Sequence, residues 1–145
     1  MCMIVDASRL GRFLSEPAHE DSVPIRKWLD EQGGRIVYST AGKFADEVVG
    51  KVRTKLEAYY RAGKAVYVPR ERFEQDAETL APQIRSNDPH VIALARAAGV
   101  RLLYTGDGAL RDDFKDKRFI DQPRGKVYSR AGNANLLTRS VCARR

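Results

Sequence analysis

The stretch DPHVIALARAAGVRLLYTGD, residues 88–107, decides the fold of this chain. Its first half is an apolar helix pattern that begins with Asp-Pro and ends at Gly99, which are residues typical of helix starts and helix ends. Its second half, VRLLYTGD, is the clearest strand pattern in the sequence. A helix that leads directly into an apolar strand is typical of a parallel sheet, in which crossover helices connect the strands.

The rest of the chain repeats this alternation of helix and strand. Four further strand patterns are MIVD (3–6), RIVYST (35–40), AVYVP (65–69) and KVYSR (126–130). Helix patterns lie between them, at 8–15, 23–34, 70–86 and 108–116, and one long amphipathic helix is predicted from 43 to 61. Alternation of this kind predicts an α/β fold, a mostly parallel central sheet with helices on both faces.

Length and composition predict one domain without a membrane span. The chain has 145 residues, of which 43% are hydrophobic, enough for one core. We expect a single domain over 1–130 and a basic tail over 131–145. No apolar run reaches the roughly 18 residues of a membrane span, and no secretion signal is evident. The two cysteines, Cys2 and Cys142, are expected to be reduced, in a cytoplasmic protein.

Acidic residues follow the strands and predict a site. Asp6 follows MIV, Asp107 follows VRLLYTG, and Asp88 begins the helix that leads into the second of these strands. If the two strands are neighbours, all three acids lie at the carboxyl edge of the sheet, where ligands bind in such folds. The next helix after RIVYST adds Asp46 and Glu47, which point about 100° apart, so only one of them faces this edge.

Helix capping is the competing explanation for each of these acids. Asp88 precedes Pro89, Asp6 precedes two small residues, and Asp107 lies in an Asp-Gly turn. Glu47 taken alone is most often a solvated helix residue. These explanations hold one at a time, but they do not account for four acids at one edge.

Converging carboxylates repel one another, and a divalent cation removes the conflict. Oxygen ligands without well-placed His or Cys favour Mg²⁺ or Mn²⁺ over zinc. The net charge of +7 favours an anionic partner such as nucleic acid. The combination predicts metal-assisted hydrolysis of a phosphodiester.

Four segments of the chain carry a family resemblance: IVDAS (4–8), FADEVVG (44–50), NDPHVIALARAAG (87–99) and LLYTGDGALRDDF (102–114). In these segments and in their order the chain resembles the PIN-domain nucleases, and in particular the short prokaryotic toxin ribonucleases of toxin–antitoxin pairs. It implies a three-layer α/β/α sandwich and a metal-dependent endoribonuclease that acts on RNA. It also implies a small antitoxin protein as a partner and a homodimer.

By motif, the acidic positions of the family fall on Asp6, Glu47, Asp88 and Asp107, which would be both the metal ligands and the catalytic residues. Thr105 falls on the hydroxyl position that supports the site. Glu47 is preferred over Asp46 because it has the longer side chain. For Asp112 and Asp113 a solvated helix face is preferred over a role at the site.

Two other functions remain open. The first is a catalytically silent PIN-like module that binds RNA or a partner protein. The second is a phosphatase or phosphotransferase with Asp6 as nucleophile, but that chemistry usually requires a second acid two residues later, where Ser8 stands.

Overall fold

A computed structural model describes residues 2–137 and contains five strands in one all-parallel sheet. Along the sheet their order is β3-β2-β1-β4-β5. The strand bounds are β1 Cys2–Val5, β2 Arg35–Tyr38, β3 Ala65–Tyr67, β4 Leu102–Tyr104 and β5 Lys126–Tyr128. The predicted fold class is confirmed, and the sheet is parallel throughout.

Seven α-helices flank the sheet within the described residues, and the result is a three-layer α/β/α sandwich. Their bounds are α1 Ala7–Leu14, α2 Val23–Glu31, α3 Phe44–Glu47, α4 Gly50–Arg61, α5 Glu74–Leu80, α6 Pro89–Ala98 and α7 Gly108–Lys115. Short 3₁₀ helices cover Glu20–Ser22, Arg70–Arg72 and Ala131–Leu136. The last of these packs against α2 and β5, so the start of the predicted tail contacts the domain. Residues 138–145 of that tail lie outside the described residues.

The two strands at the centre of the site prediction are neighbours. β1 pairs with β4 in parallel, with Ile4 opposite Leu103 and Val5 opposite Tyr104. The backbone N–H of Asp6 extends the ladder by donating to the Tyr104 carbonyl at 3.0 Å. Because the chain turns from the β1–β2–β3 side to the β4–β5 side at this pair, its carboxyl end is the crevice where parallel sheets bind ligands.

The core is built from both the strands and the helices. All four residues of β1 are buried, as expected for a central strand. Helix α6 buries six of its ten residues, so it is almost enclosed. Trp28 on α2 is 1% exposed and lies with Ile25 and Leu29 in the core.

The prediction of one long helix from 43 to 61 is wrong. The chain forms the short α3 and the longer α4, with Val48 and Val49 between them. Gly50 has φ 54°, a left-handed conformation that glycine adopts without steric cost. The amphipathic pattern is common to both pieces, and periodicity alone does not reveal a break of this kind.

Cys2 also differs from expectation. It is disulfide-bonded, so the prediction of two reduced thiols is wrong, and the argument for a cytoplasmic location that used it is lost. Cys142 lies outside the described residues. None of the helices in residues 2–137 combines the length and apolar character needed to cross a bilayer.

The contact between Gly34 and Trp28 gives a stability prediction. A methyl group at Gly34 would overlap the buried indole ring of Trp28, which has no room to move. We expect Gly34→Ala to lower the free energy of unfolding by about 1–3 kcal/mol, the usual cost of overpacking. Urea denaturation followed by the fluorescence of the single tryptophan measures this change.

Gly11→Ala is the matched control for Gly34→Ala. Gly11 lies inside α1, is exposed, and has no atom within 4 Å of an added methyl group. There the same substitution should raise the free energy of unfolding by about 0.5–1 kcal/mol, because alanine has the higher helix propensity. Equal effects at the two positions would contradict the steric argument.

Candidate functional site

Asp6 is a buried carboxylate held by two hydroxyl groups. It stands at the start of α1 but makes no side-chain capping bond to that helix. Its Oδ2 instead accepts hydrogen bonds from Ser8 Oγ at 2.7 Å and from Thr105 Oγ1 at 2.8 Å. Only 3% of Asp6 is exposed. The capping explanation therefore fails for Asp6, and the side chain is oriented across the β1–β4 pair.

Thr105 connects two of the predicted acids. Its buried hydroxyl donates to Asp6 and accepts from the backbone N–H of Asp107 at 3.0 Å. Threonine suits this position because its single hydroxyl both donates and accepts. This hydroxyl fixes the loop after β4 relative to the end of β1.

Asp88 is the second buried carboxylate, with 4% of the residue exposed. Although it stands where α6 begins, its side chain makes no capping bond. Its backbone N–H donates to Ser86 Oγ at 3.3 Å, and its Oδ2 lies 3.4 Å from Lys43 Nζ. Capping by the side chain therefore does not explain Asp88 either.

The loop before Asp88 is held by Asp113 on α7. Asp113 is 2% exposed and accepts the backbone N–H of Arg85 at 2.9 Å and of Ser86 at 2.8 Å. The expectation of a solvated Asp113 is wrong, whereas Asp112 has about half of its side chain exposed. Asp113 thus acts on the site through the backbone that carries Asp88. The local sequence gives no signal of this role, because Asp113 lies 28 positions after Arg85 and 27 positions after Ser86.

Asp107 is the predicted acid for which capping is correct. Its Oδ1 accepts the backbone N–H groups of Ala109 and Leu110, at 2.9 and 3.2 Å, at the start of α7. The residue is partly exposed, and its charge still acts on Asp88, as described below. Asp107 therefore combines a capping bond with a place at the acidic edge.

A cavity of about 280 Å³ opens between α1, α3 and α6, and it favours Asp46 over Glu47. Its charged and polar lining side chains are Asp6, Lys43, Asp46, Asn87, Asp88 and His90. Both Asp46 and Glu47 are exposed, but Glu47 does not line the cavity. The role of Glu47 as the second acid stays a prediction, while Asp46 is the acid of α3 that lines the cavity together with Asp6 and Asp88.

The electrostatics of the cavity disfavour a charged Asp88. Burial raises the pKa of the Asp88 carboxyl, and the negative charge of Asp6 raises this pKa further. Lys43 opposes both effects, and the charge of Asp107 adds to them. Because Lys43 is about half exposed, water screens its contribution. The folded protein therefore holds ionised Asp88 at a cost in stability.

The carboxylate oxygens at the cavity are chemically suited to a hard divalent cation, although the side chains are not arranged close enough together to form a metal site. Asp6, Asp88 and Asp46 offer only carboxylate oxygens to the cavity, which are the ligands of Mg²⁺ and Mn²⁺. Within residues 2–137, no group of three or more His, Cys, Asp or Glu side chains is arranged to hold a metal ion. A cation would therefore need the side chain of Asp46 or Asp107 to approach the two buried acids.

Two further residues at the cavity, Lys43 and His90, were not among the predicted site residues. Lys43 precedes α3 and carries no motif, so only the tertiary contact with Asp88 reveals it. His90 Nε2 lies 3.1 Å from both carboxylate oxygens of Glu74, and the ring packs edge-on against Phe73. His90 is thus a packed histidine that also lines the cavity.

The hydrogen bonds of Asp113 predict a large loss of stability on its removal. Asp113→Ala leaves two backbone N–H groups without an acceptor, the buried one of Ser86 and the partly buried one of Arg85. We therefore expect the free energy of unfolding to fall by about 3 kcal/mol. Asp112→Ala, on the exposed face of the same helix, should change it by less than about 0.5 kcal/mol. Thermal and urea denaturation of both variants test this, and similar losses would argue against the buried contact.

Asp88 predicts a pH-dependent change of stability in metal-free protein. The pKa of Asp88 is higher in the folded than in the unfolded protein. The ionised carboxyl therefore lowers the free energy of unfolding. This loss is absent at low pH, where the carboxyl is neutral in both states, and it grows as the pH rises above the pKa of the unfolded protein. Asp88→Asn should therefore raise the melting temperature at pH 7 in the presence of chelator. The gain should vanish near pH 3, where the wild-type carboxyl is neutral. Scanning calorimetry across this range measures it, and a gain independent of pH would contradict the electrostatic cause.

Comparison of the chain with protein-family models, with curated proteins and with solved structures gives no match.

Proposed function

We propose that this protein is a metal-dependent endoribonuclease that uses Mg²⁺ or Mn²⁺ at the carboxyl edge of the β1–β4 pair. One observation carries the proposal. Asp6 and Asp88 are both buried at one cavity, neither caps its helix, and the charge of one raises the pKa of the other. Two such carboxylates cost stability unless one takes up a proton or a cation binds between them, and perturbed pKa values of this kind cluster at functional sites.

Asp6 and Asp88 would be the main ligands, with Asp46 or Glu47 and Asp107 completing the set. When bound, the metal would lower the pKa of a water molecule and stabilise charge on the phosphate. Ser8 and Thr105 donate hydrogen bonds to Asp6 Oδ2, so Oδ1 would be the oxygen available to a cation. Lys43 would hold Asp88 in place and contribute positive charge near the phosphodiester.

A basic cavity favours RNA as the substrate. It measures about 490 Å³, and one of its lining residues is Arg85, on the loop that leads to Asp88. Its cationic lining residues are Arg85, Lys115, Lys117, Arg118 and Arg124. All three of its acids are engaged, Asp113 by backbone N–H groups, Asp116 by Arg118 and Asp112 by Arg85 at 3.7 Å. Within residues 2–137, the lining cations without an ion pair are Lys115, Lys117 and Arg124. The remaining positive charge, with a net charge of +7, suits a phosphate backbone.

The biological setting is part of the same proposal and rests on the resemblance to PIN-domain toxins. It comprises a small antitoxin partner, a homodimer and a cytoplasmic location. A purified complex or a light-scattering mass would test the first two directly.

A silent PIN-like module is the second candidate, and one observation favours it. The acids of residues 2–137 do not form a ready metal-binding group. Isothermal calorimetry with Mn²⁺ separates the candidates, since a silent module should give no binding heat and no cleavage. A nuclease should bind Mn²⁺ and lose activity in chelator.

Asp6→Asn should abolish cleavage and preserve the fold. The amide oxygen still accepts a hydroxyl hydrogen bond, whereas the charge needed for the metal is gone. We expect a loss of about 100-fold or more, the size seen when a group that stabilises transition-state charge is removed. Cleavage of mixed RNA with Mg²⁺, Mn²⁺ and chelator measures it, with circular dichroism as the check on folding. Full Mn²⁺-dependent activity in the variant would refute the assignment.

Asp46→Asn and Glu47→Gln form a matched pair on α3. Each removes one charge from the same exposed turn, but only Asp46 lines the cavity. If the cavity geometry identifies the ligand, Asp46→Asn weakens Mn²⁺ binding and cleavage by about 10-fold or more, and Glu47→Gln has the smaller effect. The reverse order would restore the sequence-based preference for Glu47.

A further inference from the structure

Arg9 is a cation without a partner beside the acidic edge. Its Nε is buried and has no hydrogen-bond partner, and within residues 2–137 no hydrogen bond or ion pair engages its guanidinium. Arg12, one turn later on α1, behaves differently, because it pairs with Asp21 at 3.1 Å. The missing partner is therefore particular to Arg9 and not a general property of this helix.

The guanidinium of Arg9 lies directly on Gly106. A methyl group at Gly106 would overlap Nη2 and Cζ of Arg9, so the absence of a side chain at 106 makes the space that the guanidinium occupies. Gly106 stands between Thr105 and Asp107, and the backbone N–H of Arg9 donates to the Asp6 carbonyl at 2.8 Å. Both ends of the contact are thus tied to residues of the candidate site.

No acid among residues 2–137 forms an ion pair with Arg9, and the two neighbouring acids each have one oxygen engaged elsewhere. Asp6 Oδ2 accepts two hydroxyl groups, and Asp107 Oδ1 accepts two backbone N–H groups. A half-buried guanidinium has lost some of its water and gains from an anionic partner. Its planar array of N–H donors matches the oxygens of a phosphate better than any other side chain does.

We propose that Arg9, seated on Gly106, binds a phosphate of the RNA strand next to the bond that is cleaved. This rests on the proposed nuclease function and adds the residue that positions the substrate. The acids bind the cation, and Arg9, in contact with Gly106 after β4, binds the anion. Gly106 is a positioning residue, since it acts through the guanidinium that it accommodates.

Binding of a fluorescein-labelled, single-stranded RNA of mixed sequence, measured by anisotropy in chelator, tests Arg9 without cleavage. Arg9→Ala should weaken binding about 10-fold, the size of a lost hydrogen bond to a charged group. The slope of log affinity against log salt should fall by about 0.7, which corresponds to one phosphate contact on a single strand. Arg9→Lys should retain part of the affinity.

Arg35→Ala is the matched control. Arg35 is exposed at the start of β2, at the amino-terminal end of the strands and so away from the site. Its replacement by alanine lowers the net charge by the same amount. It should change RNA affinity by less than about 2-fold, because a single distant charge is screened by salt.

Gly106→Ala supplies a second test that removes no charge. The added methyl group should displace the flexible guanidinium and weaken RNA binding to the level of Arg9→Ala. The double variant Arg9→Ala/Gly106→Ala should bind no more weakly than either single variant. Melting temperatures establish that each variant is folded.

The outcomes separate this proposal from the nuclease proposal. If Arg9→Ala binds RNA as tightly as Arg35→Ala, or Gly106→Ala as tightly as wild type, the role of Arg9 is wrong even where Asp6-dependent cleavage is observed. Absence of RNA binding by the wild-type protein would also overturn it. Weaker binding in both variants, with no further loss in the double variant, would support it.

Discussion

The parallel pairing of β1 with β4 is the constraint on which the rest of the site depends. It places the end of β1 beside the end of β4, and the hydrogen bond from Thr105 to Asp6 closes the gap at 2.8 Å. The order β3-β2-β1-β4-β5 makes this pair the place where the chain changes direction across the sheet. Helices that leave the two strands diverge there, and the crevice between them is left for a ligand.

The acids at this crevice differ in what else they do. Asp107 and Asp113 accept backbone N–H groups and so stabilise the fold, at the start of α7 and in the loop before α6. Asp6 and Asp88 make no such capping bond, although both stand where a helix begins. An aspartate that served only as a helix cap would accept a backbone N–H group of its helix. The absence of this bond at two buried positions supports a role in binding a cation.

Basic side chains near these acids differ in how far they are buried. Lys43 approaches Asp88 from the solvent side, Arg9 lies half-buried on Gly106, and the cavity lined in part by Arg85 is exposed and basic. Acids at the centre and cations around them suit a substrate that is itself anionic and is bound through a metal. The same arrangement limits the repulsion between the two buried carboxylates, because Lys43 lowers the cost that burial and Asp6 impose on Asp88.

The sequence by itself determined the fold class and most of the acidic edge. Apolar strand patterns alternating with helix patterns leave few ways to bury both, and parallel strands bring their carboxyl ends together. It did not reveal the break between α3 and α4, because an amphipathic period continues through Gly50 while the backbone does not. Tertiary structure alone decided which of Asp46 and Glu47 lines the cavity, that Asp113 is buried, and that Arg9 lies on Gly106. Each of these depends on contacts between residues far apart in the chain or on the direction of a side chain, and neither is encoded in local pattern.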